Sequence, residues 1–231
     1  FRAERQILAR LEHPGIARLL DGGLDADGRP YFAMELVDGE PITDLADARR
    51  LSVDDRLELF AQTCEAVAYA HRQLVVHRDL KPSNVLVSED GRVKLLDFGI
   101  ARLLSADADD GLTRTGHRVL TPATAAPEQV RGEPPTTATD VYGLGLLLYE
   151  VLNGTRPFPD TGDRHALETS ILHDAPPAPS SARPGLSRDL DTICLTALRK
   201  VPTERYASAE ALAADLQRFL EHRSHPVDRA V

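Results

Sequence analysis

The feature that most constrains this chain is a pair of polar turns joined by a short β-hairpin. The first turn reads His-Arg-Asp-Leu-Lys-Pro-Ser-Asn over residues 77–84, and the second is the triplet at 97–99, Asp-Phe-Gly. Between them, apolar residues at 85–87 and 93–96 predict two β-strands, and the Asp-Gly pair within 88–91 predicts a tight turn. Because a hairpin returns the chain to its starting point, we expect the two polar turns to lie side by side.

Together, the two turns combine groups that suit a metal ion and a phosphate. Asn84 and Asp97 supply an amide oxygen and a carboxylate that can face one cation, and Asp79 and Lys81 lie on the first turn. Magnesium prefers hard oxygen ligands, and an ammonium group stabilises the negative charge that spreads over a transferring phosphoryl group. The sequence therefore predicts a site for phosphoryl transfer.

The order of the motifs resembles a known family. With Ala-Pro-Glu at 126–128 and Asp140 further along, the chain resembles bacterial serine/threonine protein kinases of the eukaryotic-like (Hanks) type, within the protein kinase superfamily. The resemblance implies an α+β, two-lobed protein-kinase fold with a small lobe truncated at its N-terminus and a mainly helical large lobe. It also implies transfer of the γ-phosphate of ATP to serine and threonine hydroxyls of proteins, with Mg2+ as a cofactor.

The first turn, residues 77–84, resembles the family's catalytic loop and is the catalytic turn of this chain. The resemblance assigns roles to residues of both turns. Asp79 would orient the substrate hydroxyl and accept its proton late in the reaction. Lys81 would neutralise the moving γ-phosphate. Asn84 and Asp97 would bind magnesium.

A second group of residues resembles the adenine site. Met34-Glu35-Leu36-Val37 is similar to the family's hinge, where backbone groups of Glu35 and Val37 would hydrogen-bond adenine and Met34 would border the pocket. Leu86 would form the apolar floor under adenine. Backbone contacts leave no sequence signature, so an ordinary edge strand is the alternative interpretation of this stretch.

Several other positions resemble structural residues of the family. Asp140 would accept hydrogen bonds from backbone N–H groups of the catalytic loop; the alternative is a plain helix N-cap. Glu128 and Arg205 would form a buried ion pair. Glu4 would be the ion-pairing carboxylate of the small lobe's regulatory helix, or else a solvated helix charge.

His77 could in isolation be a metal ligand or a base. In the family the matching residue packs beneath the catalytic loop, so the resemblance implies a structural role. It would stack with Phe98, Leu8 and Leu19 in a spine that joins the two lobes.

The stretch at 102–118 is polar and acidic, which predicts a mobile loop where the family has its activation loop. Thr113 and Thr115 are its candidate phosphorylation sites, and Arg78 would belong to the basic pocket that receives the phosphate. Two alternatives stay open. The threonines are ordinary loop residues, or the acidic residues of the same loop already supply negative charge to Arg78.

After this loop, Thr121 resembles the threonine of the peptide-binding turn, whose hydroxyl would reach Asp79 and Lys81. The family usually has an aromatic residue where this chain has Thr124. This departure removes no catalytic group.

Composition limits the partners. The chain has 231 residues and a formal net charge of −9, which argues against nucleic acid or an anionic membrane surface as a partner. Its longest apolar run, 141–149, is too short to span a bilayer. Cys64 and Cys194 both fall in amphipathic helical patterns and indicate buried thiols in a reducing compartment. We therefore expect ATP and proteins with serine or threonine as partners and a cytoplasmic location, with any membrane anchor of a longer parent following Val231.

The predicted domain division is a partial small lobe at 1–37, the large lobe at 38–221 and the start of a linker at 222–231. Because the chain opens inside a helical pattern and does not begin with Met, the family's glycine-rich loop and strand lysine are expected upstream of Phe1. Apolar periodicity and cap residues predict the elements. These are strands at 16–20 and 31–37, and helices at 1–11, 41–48, 53–72, 140–152, 163–173, 188–199 and 208–220.

Three other functions compete with a protein kinase. A small-molecule phosphotransferase shares the arrangement of Asp79, Asn84 and Asp97, but is not expected to carry Ala-Pro-Glu or Arg205. A pseudokinase scaffold would act only as a binding module, and the intact catalytic turn counts against it. The third is a fragment that is inactive because it is incomplete.

Overall fold

A computed structural model of the chain describes residues 11–27, 30–98, 122–160 and 162–224. In these residues, small antiparallel sheets form from the N-terminal part and the hairpin, and the rest is mainly helical. The α+β class that the sequence predicted is therefore confirmed. The predicted helix at 1–11 and the predicted activation loop lie outside the described residues.

The first sheet differs from the prediction in where its strands run. Strand β1 is Leu19–Leu24 and pairs antiparallel with β2, Pro30–Met34. The strand predicted at 16–20 is thus wrong in its bounds. The sequence predicts a loop at Asp21-Gly22-Gly23, but these residues pair with β2. The pairing uses backbone groups, so the side chains of these residues do not indicate it. The Asp21 carboxylate also accepts hydrogen bonds from Gly22 N at 2.7 Å and from the Tyr31 hydroxyl at 3.3 Å.

The second sheet contains the predicted hairpin and one unpredicted strand. Strands β4 (Val85–Ser88) and β5 (Val93–Leu95) pair antiparallel, as the sequence predicted, and Gly91 in their turn has a φ of +76°. Strand β3, Gly39–Pro41, pairs with the other edge of β4. No sequence pattern indicated β3, because this strand is short and contains both Gly and Pro, which are rare in strands.

Two helices separate β3 from the catalytic turn. Helix α1 is Ile42–Ala48, one residue shorter than the predicted 41–48, and helix α2 is Val53–Arg72, with the bounds that the sequence predicted. Ser52 begins α2 with a capping box, in which its hydroxyl accepts from Asp55 N at 3.1 Å and Asp55 accepts from Ser52 N at 3.2 Å. Apolar residues at helical spacing predict one buried face of α2, and that face is buried except for Val53, which is half-buried. Its buried residues are Leu57, Phe60, Ala61, Cys64, Val67 and Ala68.

Helix α4 is the centre of the large helical part. Its side chains from residue 139 to 149 are buried all round, and α2, α7 and α8 pack against it. A Cβ added at Gly145 would lie 2.9 Å from the Cβ of Ala197, so this glycine lets α7 approach closely. The helices of this part are α3 (Pro127–Arg131), α4 (Thr137–Asn153), α5 (Arg164–His173), α6 (Pro179–Ala182), α7 (Arg188–Ala197) and α8 (Ala209–Ser224).

Two helix ends differ from the prediction by more than two residues. Helix α8 runs to Ser224, past the predicted end at Leu220, because no Gly or Pro interrupts the chain before Pro226. Helix α4 begins earlier than predicted, with Thr136 as its N-cap. Asp140 is therefore not the N-cap of α4. In the described part of the chain, no helix is both long and apolar enough to cross a membrane.

Candidate active site

The catalytic turn brings three of the predicted residues into direct contact. Lys81 Nζ lies 2.6 Å from Asp79 Oδ2, and the Asn84 amide nitrogen donates to the Asp79 backbone carbonyl at 2.9 Å. The same nitrogen lies 3.4 Å from Asp79 Oδ2. Asp79 and Lys81 keep 32% and 25% of their side chains exposed, so both charged groups can be reached from solvent.

Local sequence explains how Asn84 reaches back to Asp79. Pro82 starts a 3-10 turn, Pro82–Asn84, in which Asn84 N donates to Lys81 O at 3.0 Å. This tight turn folds the Asn84 side chain back over the loop. Just after β5, Leu96 N donates to Asn84 O at 2.8 Å. Because Asp97 follows Leu96 directly, this bond keeps the backbone of Asp97 close to Asn84.

Asn84 and Asp97 fit the requirements of a magnesium site. Because the Asn84 amide nitrogen is committed to Asp79, its amide oxygen is left for another partner. Asp97 is exposed and has a φ of +49°, a conformation that costs free energy for a residue other than glycine. An amide oxygen and a carboxylate are hard ligands suited to magnesium.

A buried carboxylate holds the catalytic turn from below. Asp140 is 2% exposed; its Oδ2 accepts from His77 N at 2.7 Å and its Oδ1 from Arg78 N at 2.8 Å. Arg78 has a φ of +73°, so these bonds hold a backbone conformation that is otherwise disfavoured. Asp140 Oδ2 also lies 2.8 Å from His71 Nε2, which must carry the proton because a carboxylate only accepts.

His71 is a site residue that sequence reasoning missed. It lies on the last turn of α2, and its partner Asp140 lies 69 positions later on α4. No local pattern connects two residues so far apart. A second missed contact joins Thr124 Oγ1 to Asp79 Oδ1 at 3.4 Å.

His77 is fully buried beneath the turn. Its ring lies 4.8 Å from that of Phe98, and Nε2 donates to Leu96 O at 2.8 Å. Asp79 N lies 3.3 Å from Nδ1, which therefore accepts. Burial lowers the pKa of His77, since the imidazolium would be out of water. Leu19 packs against the same core, and Leu8 lies outside the described residues.

We expect His77 to make the protein less stable in mild acid. An unfolded chain takes up a proton on this residue below about pH 6.5, whereas the native state resists protonation, so stability is lost as pH falls. Chemical denaturation at pH 7.5 and pH 5.5 gives the free energy of unfolding that is lost between the two pH values. This loss should be larger for the wild type than for His77→Phe by up to about 1.4 kcal/mol. Burial also lowers the pKa of His13, but His13 is present in both proteins. Equal losses would contradict the prediction.

The predicted hinge forms the connection between β2 and β3. Met34 ends β2, and residues 35–38 form neither helix nor strand; Leu36 is 95% exposed while Met34 and Val37 are half-buried. Leu86 lies in β4 and is half-buried. Residues 35–38 therefore connect the two sheets, and only Met34 of the predicted hinge lies in a strand.

Glu128 and Arg205 form a buried, bidentate ion pair. The two guanidinium nitrogens lie 2.7 Å from the two carboxylate oxygens, and Arg205 also donates to Ala138 O at 2.7 Å. The guanidinium lies 4.9 Å from the centroid of the buried Tyr142 ring. Burial is the largest influence and raises the pKa of the Glu128 carboxyl, but the hydrogen bonds that the carboxylate accepts, first of all from Arg205, and the guanidinium charge together outweigh burial and lower the pKa.

The remaining predicted site residues are placed as follows. Arg78 is half-buried, and its Nε has no hydrogen-bond partner in the described part of the chain. Glu4, Thr113, Thr115 and Thr121 lie outside the described residues.

Comparisons with known proteins agree on one family. A family model described as "Protein kinase domain" matches residues 1–216. The serine/threonine-protein kinase PknB of Mycobacterium tuberculosis is 39% identical over 231 residues, covering 98% of this chain and 36% of the relative. The PknB proteins of Mycolicibacterium smegmatis and Mycobacterium leprae are each 38% identical, covering 96% and 94% of this chain and 36% and 35% of the relative. The chain thus spans about a third of the length of these curated relatives.

Proposed function

Because this chain belongs to the protein kinase domain family, we propose that it is the catalytic part of an enzyme that transfers the γ-phosphate of ATP to serine and threonine hydroxyls of proteins. The observation that carries the proposal is the interlocked turn in which Asp79, Lys81 and Asn84 contact one another. Leu96 N ties Asp97 to the same turn. The serine/threonine kinases among its relatives support this choice of substrate hydroxyl.

Asp79 receives the substrate proton. The hydroxyl oxygen attacks the γ-phosphorus, a new oxygen–phosphorus bond forms, the bond to the β-phosphate oxygen breaks, and the hydroxyl proton passes to the Asp79 carboxylate. An ordinary aspartate is a weak base near pH 7, so its main contribution is to orient the hydroxyl and accept the proton late. The contacts from Lys81 and Asn84 hold the carboxylate for this task.

Lys81 and the proposed metal ligands stabilise the negative charge of the ATP phosphates. The Lys81 ammonium, 2.6 Å from Asp79, is placed to neutralise the phosphoryl group as it moves to the hydroxyl. Asn84 and Asp97 would hold Mg2+, which supplies charge neutralisation at the phosphates when bound. Backbone groups of Glu35 and Val37 would hold adenine, with Met34 and Leu86 against the ring.

Two features favour a protein kinase over a small-molecule phosphotransferase or a pseudokinase. The buried Glu128–Arg205 pair anchors the end of the segment that would bind a peptide. The catalytic turn also keeps Asp79, Lys81 and Asn84, the groups that the family's chemistry takes from this loop.

We further propose that residues 1–231 alone are a poor enzyme. They contain no stretch that matches the family's glycine-rich loop or strand lysine, which cover and hold the phosphates. Because the cytoplasm supplies ATP, we propose that the reaction takes place there. The domain division at residues 37/38 and 221/222, and an anchor following Val231, stay predictions.

The test is phosphate transfer by the full-length gene product. It is incubated with ATP, Mg2+ and a mixture of protein substrates, and the phosphorylated residues are identified by mass spectrometry. We expect phosphoserine and phosphothreonine. Phosphate found only on tyrosine or on small molecules, or binding of ATP with no transfer, would overturn the proposal.

We also predict a phosphorylation switch in the segment that precedes α3. Arg78 cannot be neutralised by losing a proton, and its buried Nε lacks a partner among the described residues. A phosphate on Thr113 or Thr115 would bring nearly two negative charges and strong acceptors to such a guanidinium. If the phosphate stabilises the closed loop by about 2 to 3 kcal/mol, a mostly open loop becomes mostly closed. Activity would then rise about 30- to 100-fold.

The switch is tested with the double variant Thr113→Ala, Thr115→Ala in the full-length product. Phosphosites are mapped by mass spectrometry, and kcat is compared with that of the wild type. An active wild-type enzyme without phosphate in this loop, or a double variant of equal activity, would contradict the switch. Acidic residues such as Asp107, Asp109 and Asp110 would then be the better partners for Arg78.

A further inference from the structure

Glu35 lies where three segments meet behind the proposed nucleotide site. Its backbone N–H donates to Arg18 O at 2.8 Å, and its carboxylate accepts from Arg18 N at 3.1 Å. Lys94 Nζ lies 2.8 Å from one carboxylate oxygen and 3.1 Å from the other. One side chain therefore ties the hinge both to the segment before β1 and to strand β5.

Lys94 connects this junction to the metal end of the site. It is the middle residue of β5, the strand that leads to Asp97. Backbone hydrogen bonds already fix β5 beside the segment before β1, since Leu95 N donates to Gly15 O and Ala17 N donates to Leu95 O, both at 2.9 Å. The Glu35 carboxylate links the hinge to both of these segments through Arg18 N and Lys94 Nζ.

The described residues do not fill the space beside the junction. A cavity of about 340 Å³ is bordered by both Glu35 and Lys94. Close packing normally fixes the relative position of two elements, and among the residues that the structure describes it is incomplete here. Polar contacts therefore contribute more than packing to fixing the position of the hinge. The other residues that line the cavity are Leu11, Glu12, His13, Pro14, Ile16 and Arg18.

We propose that Glu35 is a positioning residue for nucleotide binding, a role that rests on the proposed function. Its carboxylate, held by Lys94, sets the distance between the hinge groups that bind adenine and the strand that ends at Asp97. One nucleotide must bind the hinge through its adenine and the proposed metal site through its phosphates at the same time. A hinge free to shift would therefore weaken binding without touching the reacting groups.

An ordinary surface ion pair is the competing explanation, and the two differ in what they predict. The side chains of Glu35 and Lys94 are 36% and 21% exposed, so the pair adds little to overall stability. The hydrogen bond from Lys94, and then that from Arg18 N, lower the pKa of Glu35, so the carboxylate stays ionised at neutral pH. A surface pair would change neither nucleotide affinity nor stability when removed, whereas a positioning pair changes affinity.

The test uses Glu35→Gln, Lys94→Met and the double variant in the full-length product. Each single variant should raise the Kd for ADP, measured by calorimetry, and the KM for ATP by about 5- to 10-fold, with kcat within about twofold of wild type. The double variant should be no weaker than the weaker single variant, because both changes break one link. Glu168→Gln, which removes an exposed pair with Arg164 on α5, is the matched control and should leave all three values unchanged.

Each other outcome counts against the proposal. Unchanged nucleotide affinity in both single variants would identify a surface pair, and additive losses in the double variant would show that the two residues act separately. A large fall in melting temperature together with kcat would indicate a structural role. Because ADP binding is measured apart from transfer, a wild type that binds ADP but transfers no phosphate would overturn the proposed function while leaving this inference testable.

Discussion

Replacing Asp79 with Asn is expected to lower kcat by about 100- to 10,000-fold in the full-length product. The amide keeps the shape of the side chain and can still lie beside Lys81, but it cannot accept the substrate proton. Because the loss falls on the chemical step, the Kd for ADP should change little. Asp97→Ala should lower turnover by a similar factor, since it removes the carboxylate proposed to bind magnesium. Initial rates of phosphate transfer at saturating ATP give the measurement.

Asp90→Asn is the matched control for this prediction. Asp90 lies in the exposed turn between β4 and β5, where it accepts a hydrogen bond from the Ser88 hydroxyl at 2.6 Å. The same chemical change there should leave kcat within about twofold. If Asp79→Asn and Asp97→Ala both keep transferring phosphate at wild-type rates, the assignment of the active site is wrong.

The second large effect is expected from Arg205→Met, which should lower the free energy of unfolding by about 3 to 5 kcal/mol. The variant leaves the Glu128 carboxylate charged and 3% exposed, and the carbonyls of Ala138 and Arg199 lose their donor. Removing one partner of a buried pair costs more than the pair contributes, because the other charge stays out of water. Urea denaturation gives the measurement.

Two further variants sharpen this test. Arg164→Met removes an arginine from an exposed pair on α5 and should change the free energy of unfolding by less than about 0.5 kcal/mol. Adding Glu128→Leu to Arg205→Met should recover part of the loss, since no unpaired charge is then buried. A loss below about 1 kcal/mol for Arg205→Met alone would mean that the carboxylate finds another partner or takes up a proton.

Features set by local chemistry could be predicted from the sequence. The hairpin between residues 85 and 95 follows from apolar residues around an Asp-Gly turn, and α2 follows from its cap and its apolar period. The contacts among Asp79, Lys81 and Asn84 arise within one short turn. Their roles, however, came from resemblance, because spacing alone does not say which carboxylate accepts a proton.

Features that depend on distant partners could not be predicted in this way. Strand β3 exists because β4 offers it a free edge, and its own residues do not favour a strand. His71 joins Asp140 only because α2 and α4 pack together. The carboxylate of Glu35 looks like any surface charge until the fold places Lys94 beside it.

The position of Asp140 has a consequence for how the molecule opens. Helix α4 is the most deeply buried element of the helical part, and such elements exchange their amide hydrogens only when the whole domain unfolds. Asp140 extends that protection to the amides of His77 and Arg78, although both belong to a loop. The start of the catalytic turn thus belongs to the last cooperative unit to open. Destabilising changes in the core should reduce how many molecules are folded, while each folded molecule keeps an intact catalytic loop.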